Sequence, residues 1–177
     1  MDFITVDELE EFQNKYADED QKTLLQTYCN AGMEKVKEFL GYDPQASDRT
    51  ISKEGTGGTL FALEAKPINS ISSVKIDDVE TDVSLFRVKS DNYLVYRNGS
   101  KFKDSAIYEI TYNGGFDVVP GAIKLCALQL ASLYWESAGG NLAVSSTSFA
   151  DTGSRVFNNF TADRFLKEIE GYRILKL

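Results

Sequence analysis

The sequence predicts an α+β protein, with a helical bundle formed by the N- and C-terminal helices and an inserted antiparallel β unit of about five strands. Three observations predict this class. Apolar residues recur at helical spacing as far as Leu40, short alternating runs then extend to Tyr112, and a nearly all-apolar stretch follows Pro120. We expect a single domain over 1–177, with helices over 1–42, the β unit over 43–117 and helices over 118–177.

Two helices are predicted at the N-terminus. The first begins at a capping box formed by Thr5 and Glu8, and its apolar face is expected to include Val6, Leu9, Phe12 and Tyr16. The second runs to about Leu40. Gly32 lies on its apolar face, where glycine costs roughly 1 kcal/mol relative to alanine. Either another helix packs closely there or the glycine is placed by chance.

The β unit is predicted from short runs of β-branched and aromatic residues. Pro44 to Gly58 is polar and is expected to be turn-rich. Turn signals follow at Lys66–Pro67, Asp77–Asp78, Asp91–Asn92 and Asn98–Gly99, and Asn-Gly is the strongest short signal of a hairpin. The strands that these turns separate are expected at Thr59–Leu63, Ile71–Ile76, Val83–Val88, Tyr93–Tyr96 and Ile107–Tyr112.

The third helix, from about Gly121 to Ser137, is apolar nearly all round and must be covered on most sides. Its cover comes either from a neighbouring subunit or from a core that encloses it within one chain. Residues 139–160 are expected to form a long loop of the kind that binds or orders on assembly. Thr161 is expected to cap a short last helix, which must dock on something to be stable.

The chain is acidic, with 19 Lys and Arg residues against 27 Asp and Glu residues and a net charge of -8. This balance argues against tight nucleic-acid binding, which needs clustered positive charge, but suits a surface past which DNA slides. Residues 1–43 carry a net charge of -7, and residues 153–177 carry +2. The acidic start is either a solvated face or a surface that meets the basic end of a neighbour.

No constellation of residues predicts catalysis, a cofactor or a metal site. The chain has no histidine, which excludes imidazole bases and the dyads built on them. Cys29 and Cys126 lie in apolar helical stretches and are interpreted as core thiols. The acidic residues at 77–82 are interpreted as a solvated hairpin tip, because they lack the ligand spacing of a calcium loop. Gly55 to Gly58 lacks the lysine of a phosphate-binding loop and is interpreted as a turn.

No membrane segment is expected. The N-terminus lacks the basic and apolar regions of a signal peptide. The most apolar stretch, Ala122 to Trp135, contains Lys124 and Gln129 and is too short to cross a bilayer.

Aromatic residues are frequent in the predicted strands. They either form a platform for a sugar or another small ligand, or pack within the sheet and core. The residues concerned are Tyr93, Tyr96, Phe102, Tyr108 and Tyr112. A β-rich binding module is therefore the alternative to an assembly protein.

Several segments, in their order along the chain, carry a resemblance to one family. They are Ile4–Leu9, Phe39–Gly41, Leu60–Leu63, Lys66–Ile76, Ile110–Phe116, Val119–Pro120, Leu133–Glu136, Phe149–Arg155 and Gly171–Ile174. This order resembles the head–tail connector (adaptor) proteins of long-tailed bacteriophages. The most specific pieces are the Pro-Ile-Asn-Ser-Ile strand, the Thr-Tyr-Asn-Gly-Gly-Phe to Val-Pro junction and the terminal Tyr-Arg. Two features depart from the family pattern: Ser137-Ala-Gly-Gly stands where an arginine is common, and the loop at 139–160 is long.

The resemblance implies a structural protein of the virion, located at the head–tail interface and made in the host cytoplasm. It implies a ring, usually of twelve subunits, that docks beneath the portal protein and presents a platform to the next connector or tail protein. Genomic DNA would pass through the lumen without specific binding. Another tail or baseplate component is a further alternative.

The resemblance also points to two segments as portal contacts, the loop around Phe149–Phe160 and the chain end around Tyr172–Leu177. We expect removal of Tyr172–Leu177 to leave the fold intact and to abolish docking. The individual residues are Phe149, Arg155, Phe157, Phe160, Tyr172, Arg173, Leu175 and Leu177.

Overall fold

The computed structural model describes residues 2–90, 92–138, 146–149, 153–156 and 162–174, with the backbone alone described at 138, 146–149 and 153–156. Helices and antiparallel sheets are both present, which confirms the α+β class. The chain divides into two compact units. Unit 1 consists of Met1–Phe39 and Gly121–Gly171, and unit 2 of Leu40–Pro120 and Tyr172–Leu177.

The helices and strands have the following bounds. The helices are α1 (Val6–Gln13), α2 (Glu19–Leu40), α3 (Gly121–Ala138) and α4 (Ala162–Glu168), with short 3-10 turns at Val83–Leu85 and Glu170–Tyr172. The strands are β1 (Ser47–Glu54), β2 (Phe61–Ala62), β3 (Ile68–Ile76), β4 (Val79–Thr81), β5 (Phe86–Lys89), β6 (Tyr93–Tyr96), β7 (Ile107–Gly114), β8 (Ser146–Phe149) and β9 (Gly153–Val156).

Helix α1 begins at the predicted capping box. The Glu8 backbone N–H donates to Thr5 Oγ1 at 3.2 Å, and the Thr5 backbone N–H donates to Glu8 Oε2 at 3.1 Å. The same carboxylate accepts from Lys124 Nζ through Oε1 at 2.7 Å, so it joins α1 to α3. The capping box therefore fixes the start of α1 and also one of its contacts within unit 1.

Helices α2 and α3 approach each other closely at Gly32. A Cβ atom at this position would lie 2.7 Å from the carbonyl oxygen of Ala127 and 3.1 Å from the backbone nitrogen of Ala131. Both atoms belong to the α3 backbone, which cannot move aside as a flexible side chain can. The close-packing interpretation of Gly32 is thus confirmed over chance placement.

Strand β7 is the centre of the larger sheet in unit 2, whose strand order is β1-β7-β3-β4. It pairs with β1 from Ser47↔Gly114 to Glu54↔Ile107. Its side chains alternate in burial, and Tyr108, Ile110 and Tyr112 are almost completely buried. The second sheet has the order β2-β6-β5. Phe102 contacts rings from both sheets, with centroid distances of 5.2 Å to Phe61 and 5.2 Å to Tyr108.

Gly115, which follows β7 directly, explains part of the Asn-Gly-Gly-Phe motif. Gly115 has φ +114, and a Cβ there would lie 2.4 Å from the carbonyl oxygen of Gln45. Its N–H donates to the Pro67 oxygen at 2.9 Å, and the Phe116 N–H donates to the Pro44 oxygen at 2.7 Å. The left-handed backbone and the lack of space both require glycine here.

Three predictions in the β region are wrong in detail. The polar segment 44–58 contains strand β1, an edge strand in which Ile51 alone is buried, so its sequence shows almost no apolar pattern. Val83–Leu85 is a 3-10 turn because Asp82 accepts hydrogen bonds from both the backbone N–H and the hydroxyl of Ser84. Strands β1 and β4 were both absent from the predicted set, so unit 2 has seven strands rather than about five.

Two turn and loop predictions are also corrected. The segment 139–160 is not a loop throughout, because β8 and β9 pair antiparallel from Ser146↔Val156 to Phe149↔Gly153. Thr, Phe and Val, which favour strands, occur in this pair. Asn98–Gly99 forms a turn that links strands of two different sheets rather than a hairpin. Asp77–Asp78 is the exposed tip between β3 and β4, with positive φ at both residues, which confirms that hairpin.

The close approach at Gly32 gives a stability prediction. We expect Gly32→Ala to destabilise the protein by about 1–3 kcal/mol, because the strain of overpacking exceeds the gain in helix propensity of ~1 kcal/mol. Urea unfolding measures the difference. Asn30→Ala, at an exposed position of the same helix, is the matched control and should leave stability nearly unchanged. A Gly32→Ala protein as stable as the wild type would contradict the close approach.

Candidate assembly surfaces

The end of the described chain is attached to unit 2 by its backbone. Tyr42 Oη donates to the Tyr172 carbonyl oxygen at 3.1 Å, and Lys66 Nζ donates to the Arg173 carbonyl oxygen at 3.0 Å. The Ile174 N–H donates to the carbonyl oxygen of Leu40 at 2.9 Å. Two carbonyl groups and one N–H group of residues 172–174 are therefore hydrogen-bonded within unit 2, whereas in a free tail they would be exposed to solvent.

The structure describes only some of the residues that are predicted to contact the portal. Tyr172 is half-buried, and its ring lies edge-on to Phe116 with a centroid distance of 5.9 Å. The side chain of Arg173 is exposed. Phe149 and Arg155 lie on the paired strands β8 and β9, where only the backbone is described. Phe157, Phe160, Leu175 and Leu177 lie outside the described residues.

Helix α3 is covered unevenly. Ile123, Cys126, Ala127, Leu130 and Ala131 are at most 1% exposed, so one stripe of the helix forms the core of unit 1. Leu125 is 40% exposed, and Leu128, Leu133, Tyr134 and Trp135 are half-buried. The helix is therefore not wholly enclosed by its own chain.

The N-terminal helices present a second apolar surface, which corrects one prediction. Helix α1 ends at Asn14, which has φ 51 and serves as a left-handed C-cap. Tyr16 consequently lies beyond the helix and is 77% exposed, although its spacing suggested a place on the apolar face. Phe12 and Leu24 are also exposed. The asparagine was the signal that could have ended the predicted helix earlier.

Three of the five aromatic residues that suggested a ligand platform form core contacts instead, whereas Tyr93 and Tyr96 are half-buried. Phe102, Tyr108 and Tyr112 are at most 1% exposed. The hydroxyl of Tyr108 accepts from the Lys103 N–H at 2.8 Å, and that of Tyr112 accepts from the Glu64 N–H at 3.1 Å. Since these rings and hydroxyls are occupied inside the unit, the geometry does not support a binding site built on them.

Both cysteines are buried and free, which confirms the interpretation of core thiols. Burial raises the pKa of the Cys29 thiol to about 11 and that of the Cys126 thiol to about 12. Within the described ranges, no group of three or more Cys, Asp or Glu residues could hold a metal ion. None of the described helices is long and apolar enough to cross a membrane.

A comparison with known families identifies the family of the chain. The family described as "Head completion protein" matches residues 2–152. The chain belongs to the head completion protein family. This assignment confirms the resemblance to phage head–tail connectors that the ordered sequence segments carry.

Solved structures share the fold of this head completion protein. One is from "Neck of empty GTA particle computed with C6 symmetry", with a TM-score of 0.67 at 16% identity over 98% of this chain and 91% of that one. Another is from "Virion of native gene transfer agent (GTA) particle", with a TM-score of 0.61 at 13% identity over 92% and 81%. A third is from "Neck of native GTA particle computed with C12 symmetry", with a TM-score of 0.61 at 14% identity over 96% and 89%. No curated protein sequence matches the chain.

Deletion of Tyr172–Leu177 is expected to destabilise unit 2, contrary to the expectation from sequence. The deletion removes the hydrogen bonds at Tyr172, Arg173 and Ile174 and the ring contact with Phe116. We expect a loss of about 2–4 kcal/mol in the free energy of unfolding. A chain ending at Ile174 keeps all four contacts and is the control. Equal stability of the two truncated proteins would show that the contacts contribute nothing.

The buried thiols give a reactivity prediction. With pKa values of about 11 and about 12, both thiols stay protonated at pH 8, and burial also excludes the reagent. A chromogenic disulfide reagent should therefore react with neither thiol in the folded protein and with both in denaturant. Fast reaction of either thiol in the native state would contradict its burial.

Proposed function

We propose that this head completion protein is a structural head–tail connector that assembles as a ring of twelve subunits beneath the phage portal. The ring extends the DNA channel and offers a platform to the next connector or tail protein. The observation that carries this proposal is the fold shared with a neck protein over 98% of this chain and 91% of that one. Family membership over residues 2–152 supports the same role.

Apolar side chains that are exposed in the single chain support ring assembly. Leu125 on α3 and Tyr16 after α1 are exposed in the single chain. A ring buries such side chains when one surface of each copy contacts a different surface of the next. The C6 and C12 symmetries named for the similar neck structures agree with a cyclic arrangement.

The charge of the protein suits a conduit for DNA. A net charge of -8 gives weak attraction for phosphates, so DNA can move through a lumen without being held. The protein has no proposed catalytic role, because passage and docking require surfaces rather than reactive groups.

The portal-facing surface is proposed to include the β8–β9 hairpin and the chain end. Phe149 and Arg155 lie on that hairpin, while Tyr172 and Arg173 follow α4. Arg173 is exposed at this end of the described chain. A carboxylate on the portal is the chemistry that this guanidinium recognises best.

Native mass spectrometry of the protein, alone and mixed with portal protein, tests the proposal. We expect a ring-sized species with the portal, whether or not the isolated protein is monomeric. A protein that stays monomeric and unbound in the presence of the portal would refute the connector role.

A charge reversal tests the portal contact. We expect Arg173→Glu to weaken portal binding by at least about tenfold, because it replaces an attraction for a carboxylate with a repulsion. Lys167→Glu, at an exposed position of α4, is the matched control and should bind normally. The binding of both variants can be measured by titration, and equal affinities would remove Arg173 from the contact.

A further inference from the structure

Unit 2 carries a basic surface that differs from the rest of this acidic protein. Residues 86–103 contain five basic side chains and one acidic side chain. Arg87 and Lys89 project from β5, and Arg97 follows β6. Among the described residues, Arg87 and Lys89 take part in no ion pair or side-chain hydrogen bond. Their charges are available to an acidic partner.

A pocket lies within this basic surface. Its volume is about 160 Å³, and its wall includes the apolar side chains of Leu60 and Val95 together with Arg87, Lys89 and Arg97. Arg97 is held in place because its Nε donates to the carbonyl oxygen of Phe86 at 3.0 Å. An enclosed cavity of about 150 Å³ holds a benzene ring, and this pocket has a similar volume but is open to solvent, so a ring would lie partly exposed in it. The pocket can therefore accept one aromatic side chain with cations around it.

The chain itself carries a side chain that fits this description. Tyr16 is 77% exposed, on the short connection between α1 and α2. The connection is fixed from two sides, by the C-cap at Asn14 and by a hydrogen bond of 2.9 Å from the Ala17 N–H to Glu10 Oε1. Residues 2–20 contain eight acidic side chains and one basic side chain, and Asp18, Glu19 and Asp20 follow Tyr16 closely.

We propose that Tyr16 of one copy inserts into the basic pocket of a neighbouring copy, with the carboxylates at 18–20 facing Arg87 and Lys89. This inference rests on the proposed ring and names the contact that builds it. The two surfaces are different, so the contact is heterologous and repeats from copy to copy until the ring closes. A rigid tyrosine in a pocket is a common energetic anchor, and arginine adds a cation–π attraction.

The same cations could attract DNA phosphates, but two observations favour a second copy. The pocket includes the apolar side chains of Leu60 and Val95 beside its cations, whereas phosphate contacts need no apolar side chain. The acidic segment with an exposed tyrosine supplies both the complementary charge and the complementary shape.

A cysteine pair tests the contact directly in the presence of portal protein. Asp18→Cys combined with Lys89→Cys keeps Tyr16 and should give a ladder of disulfide-linked copies on oxidation, because the proposal places residues 18–20 of one copy opposite Lys89 of the next. Cys29 and Cys126 are buried and do not compete. Asp18→Cys combined with Val118→Cys is the control, since it also keeps Tyr16 and Val118 is 85% exposed and lies outside the pocket. The control should give no ladder.

Charge reversal supplies an independent test. Arg87→Glu combined with Lys89→Glu should weaken ring formation at least about tenfold, and so should Tyr16→Ala, whereas Lys167→Glu should not. Circular dichroism checks that each variant folds.

The outcomes separate this contact from the proposed function. Intact rings without a disulfide ladder would overturn the contact and leave the ring standing. Failure of the wild type to form rings with the portal would overturn both. Binding of a short DNA duplex that Arg87→Glu and Lys89→Glu abolish, with assembly unchanged, would assign the basic surface to nucleic acid and overturn the contact.

Discussion

The physical constraint on which the proposed assembly depends is the set of large apolar side chains that the chain leaves exposed. Burying apolar surface contributes about 25 cal/mol per Å², so a large side chain left in water is a source of binding energy for a partner. Tyr16 and Leu125 are such side chains, on two parts of unit 1. The interiors of the two units, by contrast, are densely packed, with α2 against the α3 backbone at Gly32 and rings around Phe102 in unit 2. In the proposed ring, other copies would bury the exposed surface rather than add to the interior.

Local signals in the sequence predicted the helices well. The capping box at Thr5 and Glu8 depends on residues three apart, and Pro120 stands immediately before α3. The capping box and the proline act on neighbouring residues, which is why the sequence alone contains enough information to predict them. At Gly32 the sequence left close packing and chance placement open, because the close approach depends on Ala127 and Ala131 of α3.

Features that depend on distant residues could not be predicted in this way. Strand β1 is polar and is held by backbone pairing with β7, so no side-chain pattern reveals it. From the sequence, removal of the chain end was expected to leave the fold intact. In the structure, however, Tyr42 donates a hydrogen bond to Tyr172 across a separation of 130 residues. The basic residues at 86–103 are close together in the sequence, but the pocket also needs Leu60, which the pairing of β2 with β6 brings near Val95. Contacts between residues that are far apart in the sequence form each of these features.

A cryo-EM reconstruction of the protein bound to its portal would test most directly whether neighbouring copies complete the exposed surface. It should show a closed ring in which Tyr16 and Leu125 lie buried against other subunits. A single bound copy, or a ring in which both side chains still face solvent, would contradict the idea that apolar burial between copies drives assembly.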